Sequence, residues 1–460
     1  MAQTDTASRG SWNSKLGFIL AAAGSAVGLG NIWGFPTQVA SNGGAAFLFI
    51  YLICAFAIGF PVMVAEITIG RRTGKNPVGA FNVLSGNKFM YSLIGMWGVL
   101  CGVMILAFYN VIAGWTISYV FEELFHFAGM NGWAAYVADT NNGIINAIFS
   151  VLFMSATVSI IVGGVSDGIE RATKFMMPLL LVILLVLIGY VLSQPGSGVG
   201  LEAYLFPDFS KVDAGLIFSA MGQAFFSLSL GMGALITYGS YLSKNENIPE
   251  AAAYVTLMDT LIAFLAGLLI LPAMYMAQEQ GVAIFDKAGH LLAGTALIFQ
   301  VLPKLFHGLG GVLGLIFGVA FFMLLSIAAL TSTISLLEVP VSYAIDEYNM
   351  PRKKSAQLIG FGILLISIII SFKISLIGLF VTIFNNVGLP LGGFLICTFL
   401  GYYWKTDNAL TEMESGYSSV KQTIFSKVWP FFVKVICPLA ILYNLLNALG
   451  VISYLQNLFG

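Results

Sequence analysis

Apolar residues dominate this chain in long runs, each interrupted by a short polar stretch. Runs of 18 or more, enough to cross a bilayer as a helix, recur along its whole length. They predict eleven spans, near residues 13–37, 44–70, 89–122, 143–163, 172–192, 213–239, 251–278, 310–345, 355–372, 374–403 and 428–452. Residues 1–11 are short and polar with no cleavable signal pattern, so the first apolar run is expected to be a span rather than a signal peptide. The pattern predicts an all-α polytopic membrane protein of about 11 transmembrane helices.

The first span is unusual inside. Its run Ala22-Ala23-Gly24-Ser25-Ala26-Val27-Gly28-Leu29-Gly30-Asn31-Ile32-Trp33-Gly34-Phe35-Pro36 holds four glycines and an asparagine and ends in proline. Glycine costs roughly 1 kcal/mol per helix position relative to alanine, so a helix that only anchors has no reason to collect them. Non-helical backbone at membrane depth is tolerated where it is buried in protein or lines a cavity, and a broken helix points to a transporter's binding site. Gly24-xxx-Gly28 also fits a helix-packing motif. The pattern Ala22-x-Gly24-x-Ala26 recurs in span 6 as Ala220-x-Gly222-x-Ala224, again before a glycine-rich break, Leu230-Gly231-Met232-Gly233. Five spans separate the two starts, so span 6 enters from the opposite side. This predicts a single transporter domain over 1–460, built from a five-helix repeat at 13–192, an inverted repeat at 213–403 and an additional helix at 428–452, with helices 1 and 6 broken.

Composition agrees with the class. The chain is 58% hydrophobic and 9% charged, with mean hydropathy +0.91, against about 25% charged in soluble domains. With the N-terminus in the cytoplasm, Arg9, Lys15, Arg71, Arg72, Lys75, Lys88, Arg171, Lys174, Lys244, Arg352, Lys353, Lys354, Lys405, Lys421 and Lys427 fall inside. Lys211, Lys287, Lys304 and Lys373 fall outside, and Lys434 lies in the last span. That bias follows the positive-inside rule and puts the N-terminus inside; the expected location is the cell inner (cytoplasmic) membrane, multi-pass. A net charge of -1 gives no support for nucleic-acid binding.

Within the spans the chemistry is oxygen-rich. Ser227 and Ser229 lie beside the second break, Thr331-Ser332-Thr333 follow Ala328 in span 8, and Asp259 lies in span 7. Freed carbonyls and half-helix C-termini favour cations, half-helix N-termini favour a carboxylate, and intramembrane acids are functional candidates by default. Membrane serines and threonines also often bond the carbonyl one turn back. Glu66 in span 2 suits bracing of a broken helix, while Glu338 fits bracing or solvation. Cys54, Cys101, Cys397 and Cys437 read as small buried hydrophobes. His126, His290 and His307 are scattered through external loops with no ligand spacing. No nucleophile–base pair or metal set lies at membrane depth, which argues against an enzyme.

At these residues the chain resembles the neurotransmitter:sodium symporter family, in particular its bacterial amino-acid branch with the leucine-transporter fold. Trp12, Gly24 to Asn31, Asn42-Gly43-Gly44, Glu66-x-x-x-Gly70-Arg71, Phe225 to Gly231 and Leu330-Thr331-Ser332 carry the resemblance, which covers nearly the whole chain. It implies two Na+ sites. The first would use the Ala26 carbonyl, the Asn31 side chain, Ser227 and Asp259, completed by the substrate carboxylate. The second would use the carbonyls of Gly24, Val27 and Ala328 with the hydroxyls of Thr331 and Ser332. Tyr109 matches the tyrosine that bonds the substrate carboxylate, and Phe226 matches the lid. Ser25, Ala26, Gly30, Ile105, Ser227, Ser229, Met232, Ser332 and Leu336 complete the expected pocket. Arg9 and Asp346 match an inner gate with Trp12 and Tyr241 beside it, and Gly168 and Pro178 reproduce a Gly-x9-Pro spacing at the start of span 5 that permits unwinding.

Three positions qualify the match. Gly28 stands where monoamine-selecting relatives have aspartate, which favours a substrate bearing its own carboxylate. Gly34 stands where many relatives have the arginine of the external gate, and its aspartate partner in span 10 is also missing, with Val381 near the matching position; packing around Tyr109 and Phe226 is expected to close that side. Asp259 replaces the asparagine of chloride-requiring relatives and supplies a negative charge beside the first Na+, so chloride is not expected. The resulting expectation is a sodium-coupled symporter importing a neutral, apolar amino acid by alternating access across the lipid bilayer. The alternatives are a same-fold symporter for another small carboxylate or osmolyte, and a substrate sensor that does not transport. Oligomeric state is not legible.

Overall fold

A computed structural model describes residues 10–284 and 294–452. Among these residues every regular element is helical. Nine helices are long and apolar enough to cross a membrane: Ala45–Thr73, Phe89–Phe127, Gly143–Val162, Val165–Leu192, Ile248–Glu279, Gly311–Tyr348, Arg352–Phe372, Leu376–Glu414 and Phe425–Ala448. They correspond to spans 2 to 5 and 7 to 11. Span 1 is a pair, Lys15–Ala26 and Gly30–Ser41, bent by 49° at its break. Span 6 is a shorter pair, Ala214–Ser227 and Ala234–Gly239, joined by an irregular turn over 228–233.

Both breaks fall where the glycine-rich patterns place them, for different local reasons. In span 1 the helix ends when Val27 turns to an extended conformation (φ -72°, ψ 103°), and a π-helical turn, Gly30–Gly34, restarts it. In span 6 the chain passes through Ser229, Gly231 and Gly233 with φ of 56°, 81° and 77°, a left-handed region that favours glycine. A Cβ on Gly231 would also come within 2.1 Å of the Leu389 carbonyl oxygen. Span 10 therefore lies directly against the freed backbone of span 6.

Span 7 is the most central continuous helix, with 72% of its most apolar window buried, against 33% for spans 10 and 11. Large apolar residues such as Phe175, Val186, Phe361 and Ile369 are exposed, as expected of surfaces facing lipid rather than water.

The face carrying Trp12 is fixed by buried polar bonds. Trp12 Nε1 donates to the Tyr238 carbonyl at 3.0 Å, and its ring meets those of Tyr238 and Tyr241 edge-on at 5.2 and 6.1 Å. Glu170 on span 5 accepts from Asn13 N at 2.7 Å and Ser14 Oγ at 3.0 Å, tying the start of span 1 to span 5. Glu338 is braced: it accepts from both Arg352 Nη atoms, at 2.7 to 3.0 Å, and from Tyr241 Oη at 2.6 Å. Asp346 accepts from Asn76 N at 2.7 Å and Asn76 Nδ2 at 3.0 Å; its expected partner Arg9 lies outside the described residues.

The polar segment 405–427 is partly helical. Its helix Thr406–Glu414 carries a buried Glu412 that receives Arg71 Nε at 3.0 Å, Lys244 Nζ at 2.7 Å and Arg72 Nη1 at 3.4 Å. Arg71 has no exposed side-chain surface, whereas Arg72 is 57% exposed. Removing one partner of a buried ion pair costs about 3–5 kcal/mol, because the remaining charge stays buried; an exposed ion pair contributes ~0–1 kcal/mol. Glu412→Ala is therefore expected to lower the melting temperature in detergent strongly and Arg72→Ala to leave it nearly unchanged, as fluorescence-monitored unfolding of both variants would measure.

Candidate functional site

The two breaks face each other, and spans 2, 3, 7 and 8 supply side chains around them. Backbone groups freed inside the protein need hydrogen-bond partners. Gln223 Nε2 donates to the Gly30 carbonyl at 2.7 Å, and Ser229 Oγ donates to the Ser25 carbonyl at 2.7 Å. Leu29 N donates to Tyr109 Oη at 3.0 Å, and Gly231 N donates to Glu66 Oε1 at 2.7 Å. Glu66 thus braces the second break.

Two oxygen clusters flank the breaks. In the first, Asp259 in span 7 is fully buried. Asn31 Nδ2 donates to its Oδ1 at 2.7 Å and its backbone carbonyl at 3.0 Å. Ser227 Oγ lies 2.9 and 3.0 Å from its two carboxylate oxygens. Tyr51 Oη donates to Oδ2 at 3.1 Å and lies 3.3 Å from Ser227 Oγ. Asn31 Oδ1 in turn accepts from Gly28 N at 3.0 Å, holding the break against the cluster. Tyr51 had no signal in the sequence beyond being one aromatic residue among many in span 2.

In the second cluster, Thr331 Oγ1 donates to the carbonyls of Val27 at 3.2 Å and Ala328 at 2.9 Å. Ser332 Oγ lies 3.4 Å from the same Ala328 carbonyl. Gly24 adjoins them: a Cβ on it would stand 3.3 Å from Thr331 Cβ. The broken end of the first half-helix and a hydroxyl pair of span 8 therefore meet.

Between the clusters lies a small cavity of about 20 Å³, lined by Ser25, Ala26, Gly28, Gly30, Ile105, Tyr109, Phe226, Ser229, Met232, Ser332, Ser335, Leu336 and Leu389. It holds a water-sized guest, so a larger one requires side chains to swing aside. No charged residue lines it. Ser25 Oγ is buried there without a hydrogen-bond partner. A Cβ on Gly28 would lie 2.2 Å from Ser332 Oγ and 3.0 Å from Tyr109 Oη, so glycine there leaves both hydroxyls in place. Every residue expected to form the pocket borders this cavity except Ser227, which faces Asp259.

Tyr109 and Phe226 also line a second, much larger cavity of about 850 Å³ toward the face opposite Trp12. Its aromatic wall includes Trp33, Trp115, Tyr119 and Phe299, and its polar groups include Gln38, Gln223, Asn385 and Asn386. Gly34 and Val381 both border it. The space beside Gly34 is taken by the Gln223 side chain, 3.4 Å from where a Cβ would stand. Neutral amides thus occupy the region where the resemblance would put a charge pair.

Gly168 and Pro178 lie apart from these cavities. Span 5 begins earlier than its hydropathy suggests, with a π-helical turn Val165–Glu170, so Gly168 sits inside the helical run. A Cβ there would meet the Ile160 carbonyl at 2.1 Å, and Pro178 lies within the helix Arg171–Leu192. His126 and His307, expected to be unrelated, instead stack with ring centroids 3.6 Å apart; His290 lies outside the described residues.

Comparison with known proteins agrees with this geometry. Residues 9–141 and 135–458 match the model of the sodium:neurotransmitter symporter family. The sodium-dependent transporter YhdH of Bacillus subtilis is 33% identical over 96% of this chain and 98% of its own length. The sodium-dependent transporter MJ1319 of Methanocaldococcus jannaschii is 36% identical over 75% of this chain and 72% of its own. The crystal structure of MhsT in complex with L-phenylalanine is 41% identical, covers 95% of this chain and 99% of that one, and superposes with a TM-score of 0.83. The chain belongs to the sodium:neurotransmitter symporter family, as a multi-pass sodium-dependent transporter of amino-acid type and not an enzyme.

Proposed function

We propose that this protein imports a neutral, apolar amino acid together with two Na+ ions, by alternating access across the cytoplasmic membrane with its N-terminus inside. The observation that carries the reading is the uncharged small cavity between two buried oxygen clusters, one of which contains a carboxylate. Oxygen donors suit a hard cation. In this reading Ala26, Asn31, Ser227 and Asp259 hold the first ion, and Gly24, Val27, Ala328, Thr331 and Ser332 hold the second. The substrate carboxylate lies against the first ion and Tyr109. Ile105, Phe226, Met232 and Leu336 offer its side chain only apolar surface, and the likeness to a protein solved with L-phenylalanine supports an apolar side chain. Two positive charges moving down a membrane potential gain roughly 2.3 kcal/mol each per 100 mV, enough to drive accumulation.

The remaining assignments follow from the same frame. The segments 13–192 and 213–403 act as inverted repeats with helix 428–452 outside them. Phe226 acts as the lid, and Trp12, Tyr241 and Asp346, with Arg9, close the inner side. Gly168 and Pro178 allow span 5 to unwind toward the second ion. Asp259 brings the negative charge that chloride would otherwise supply, so transport is chloride-independent.

The direct test is binding of the twenty amino acids to the purified protein in Na+ and with K+ in its place. Saturable binding of one or a few apolar amino acids in Na+ alone is expected, with accumulation in proteoliposomes. Sodium-dependent binding confined to an osmolyte or a charged amino acid would overturn the substrate assignment, and binding without accumulation would mark a sensor. Thr331→Val, which keeps the volume and deletes the hydroxyl, is expected to raise the Na+ concentration for half-maximal binding by about tenfold, equivalent to about 1.4 kcal/mol. In chloride-free buffer, Asp259→Asn is expected to lose sodium-dependent binding and to recover part of it when chloride is added. A wild-type chloride requirement absent from Asp259→Asn would contradict the assignment.

A further inference from the structure

Away from both cavities, two acids near the end of span 3, Glu122 and Glu123, meet His307 on the short helix Leu302–Leu309 that precedes span 8. Glu122 is 6% exposed and Glu123 2% exposed. Glu122 Oε2, Glu123 Oε1 and His307 Nε2 are all buried and make no hydrogen bond. We propose that Glu122, Glu123 and His307 bind one divalent transition-metal ion of the zinc class.

The spacing argues for ligands rather than hydrogen-bond partners. His307 Nε2 stands 3.4 Å from Glu122 Oε1 and 3.5 Å from Glu123 Oε2, and one ligand atom from each of the three residues falls within 4.8 Å of the others. A charge-assisted N–H···O bond would be about 2.7–2.9 Å. A tetrahedral ion bound at about 2.0–2.1 Å separates neighbouring N and O ligands by roughly 3.3 Å. Charge points the same way. If both buried carboxyls are ionised, one imidazole leaves at least one negative charge uncompensated, which is costly unless a carboxyl takes up a proton; a dication removes the deficit without that proton. A nitrogen ligand and only three protein donors disfavour calcium and magnesium, which take six or more oxygens including water.

The surroundings are built to hold this set. His126 stacks on His307 with the rings 5° from parallel, fixing the imidazole plane. A Cβ on Gly318 of span 8 would come within 2.3 Å of the Glu123 carboxylate carbon, so glycine there leaves the carboxylate its place. A cavity of about 230 Å³ bordered by Glu123, His126 and His307 gives access and room for a water as the fourth ligand. The bound ion would tie span 3 to the helix carrying His307. That helix follows the Leu297–Val301 segment, whose Phe299 lines the large cavity.

The test uses the full-length protein in detergent, stripped with a chelator and titrated with Zn2+, with Co2+ as a spectroscopic probe. One equivalent of Co2+ is expected to give visible ligand-field bands that Zn2+ abolishes, and Zn2+ is expected to raise the melting temperature. His307→Ala and Glu123→Gln should each weaken Zn2+ affinity by tenfold or more, while His126→Phe, which keeps a flat ring, should retain binding. Gly318→Ala, which leaves all three ligands in the chain but crowds Glu123, should weaken it too and serves if His307→Ala does not fold. Absence of saturable binding, or the same Zn2+ titration in wild type, Glu123→Gln and Gly318→Ala, would overturn the proposal in favour of an imidazolium held between two carboxylates. Neither result depends on the transport assignment, because no residue of this cluster lines the small cavity or belongs to the two oxygen clusters.

Discussion

Interrupting a helix at membrane depth frees backbone donors and acceptors where no water can reach them, and most of this structure is arranged to satisfy them. Spans 1 and 6 are interrupted at the same depth. Their loose groups are taken up by Gln223, Ser229, Tyr109, Asn31, Thr331 and Glu66, each from a different turn or a different helix. A buried polar group left unbonded costs about 1–3 kcal/mol. The residues around the breaks are therefore committed to structure before they are available to a ligand. Some of these groups face both ways: Asn31 and Thr331 belong to the oxygen clusters, and Tyr109 and Ser229 line the small cavity.

That economy explains which parts of the molecule could be read in its sequence. The breaks were legible because glycines and an asparagine are conspicuous inside apolar runs, and Asp259 and Glu66 because carboxylates are rare there. Hydroxyls are common in these spans, so those of spans 6 and 8 were marked by their place beside a break and by the resemblance, not by rarity. Tyr51 and Gln223 did not stand out: an aromatic or an amide in a chain with 13% aromatic residues carries no mark of its partner. The Arg71–Glu412 contact joins positions 341 residues apart, and although Ala409, Leu410 and Met413 mark a buried face of that segment, nothing in the sequence marks Glu412 as the partner of Arg71. The stacking of His126 on His307 had no signal in the chain, because positions 126 and 307 come together only through packing.

The region beside Gly34 shows how a missing charge is accommodated. A lone buried arginine or aspartate would be expensive, and neither stands at position 34 or 381, although the exposed Asp139 borders the same cavity. The Gln223 side chain fills the space next to Gly34 while bonding the Gly30 carbonyl, and Asn385 and Asn386 line the same cavity. Neutral amides need no counter-charge, so each can be held or released singly, where an ion pair comes and goes as a pair.

Phe226 is a wall common to two compartments that differ in volume by more than an order of magnitude. A solute passing from the larger to the smaller must clear this ring before it touches either oxygen cluster. Shape is thus examined ahead of charge, and the two judgements fall on different rates. If Phe226 is the lid proposed above, the ring governs how often a solute gets in, whereas the oxygens beyond it govern how long it stays. Substitutions at position 226 would therefore alter the order in which competing solutes are admitted without altering their ranking at equilibrium by the same amount.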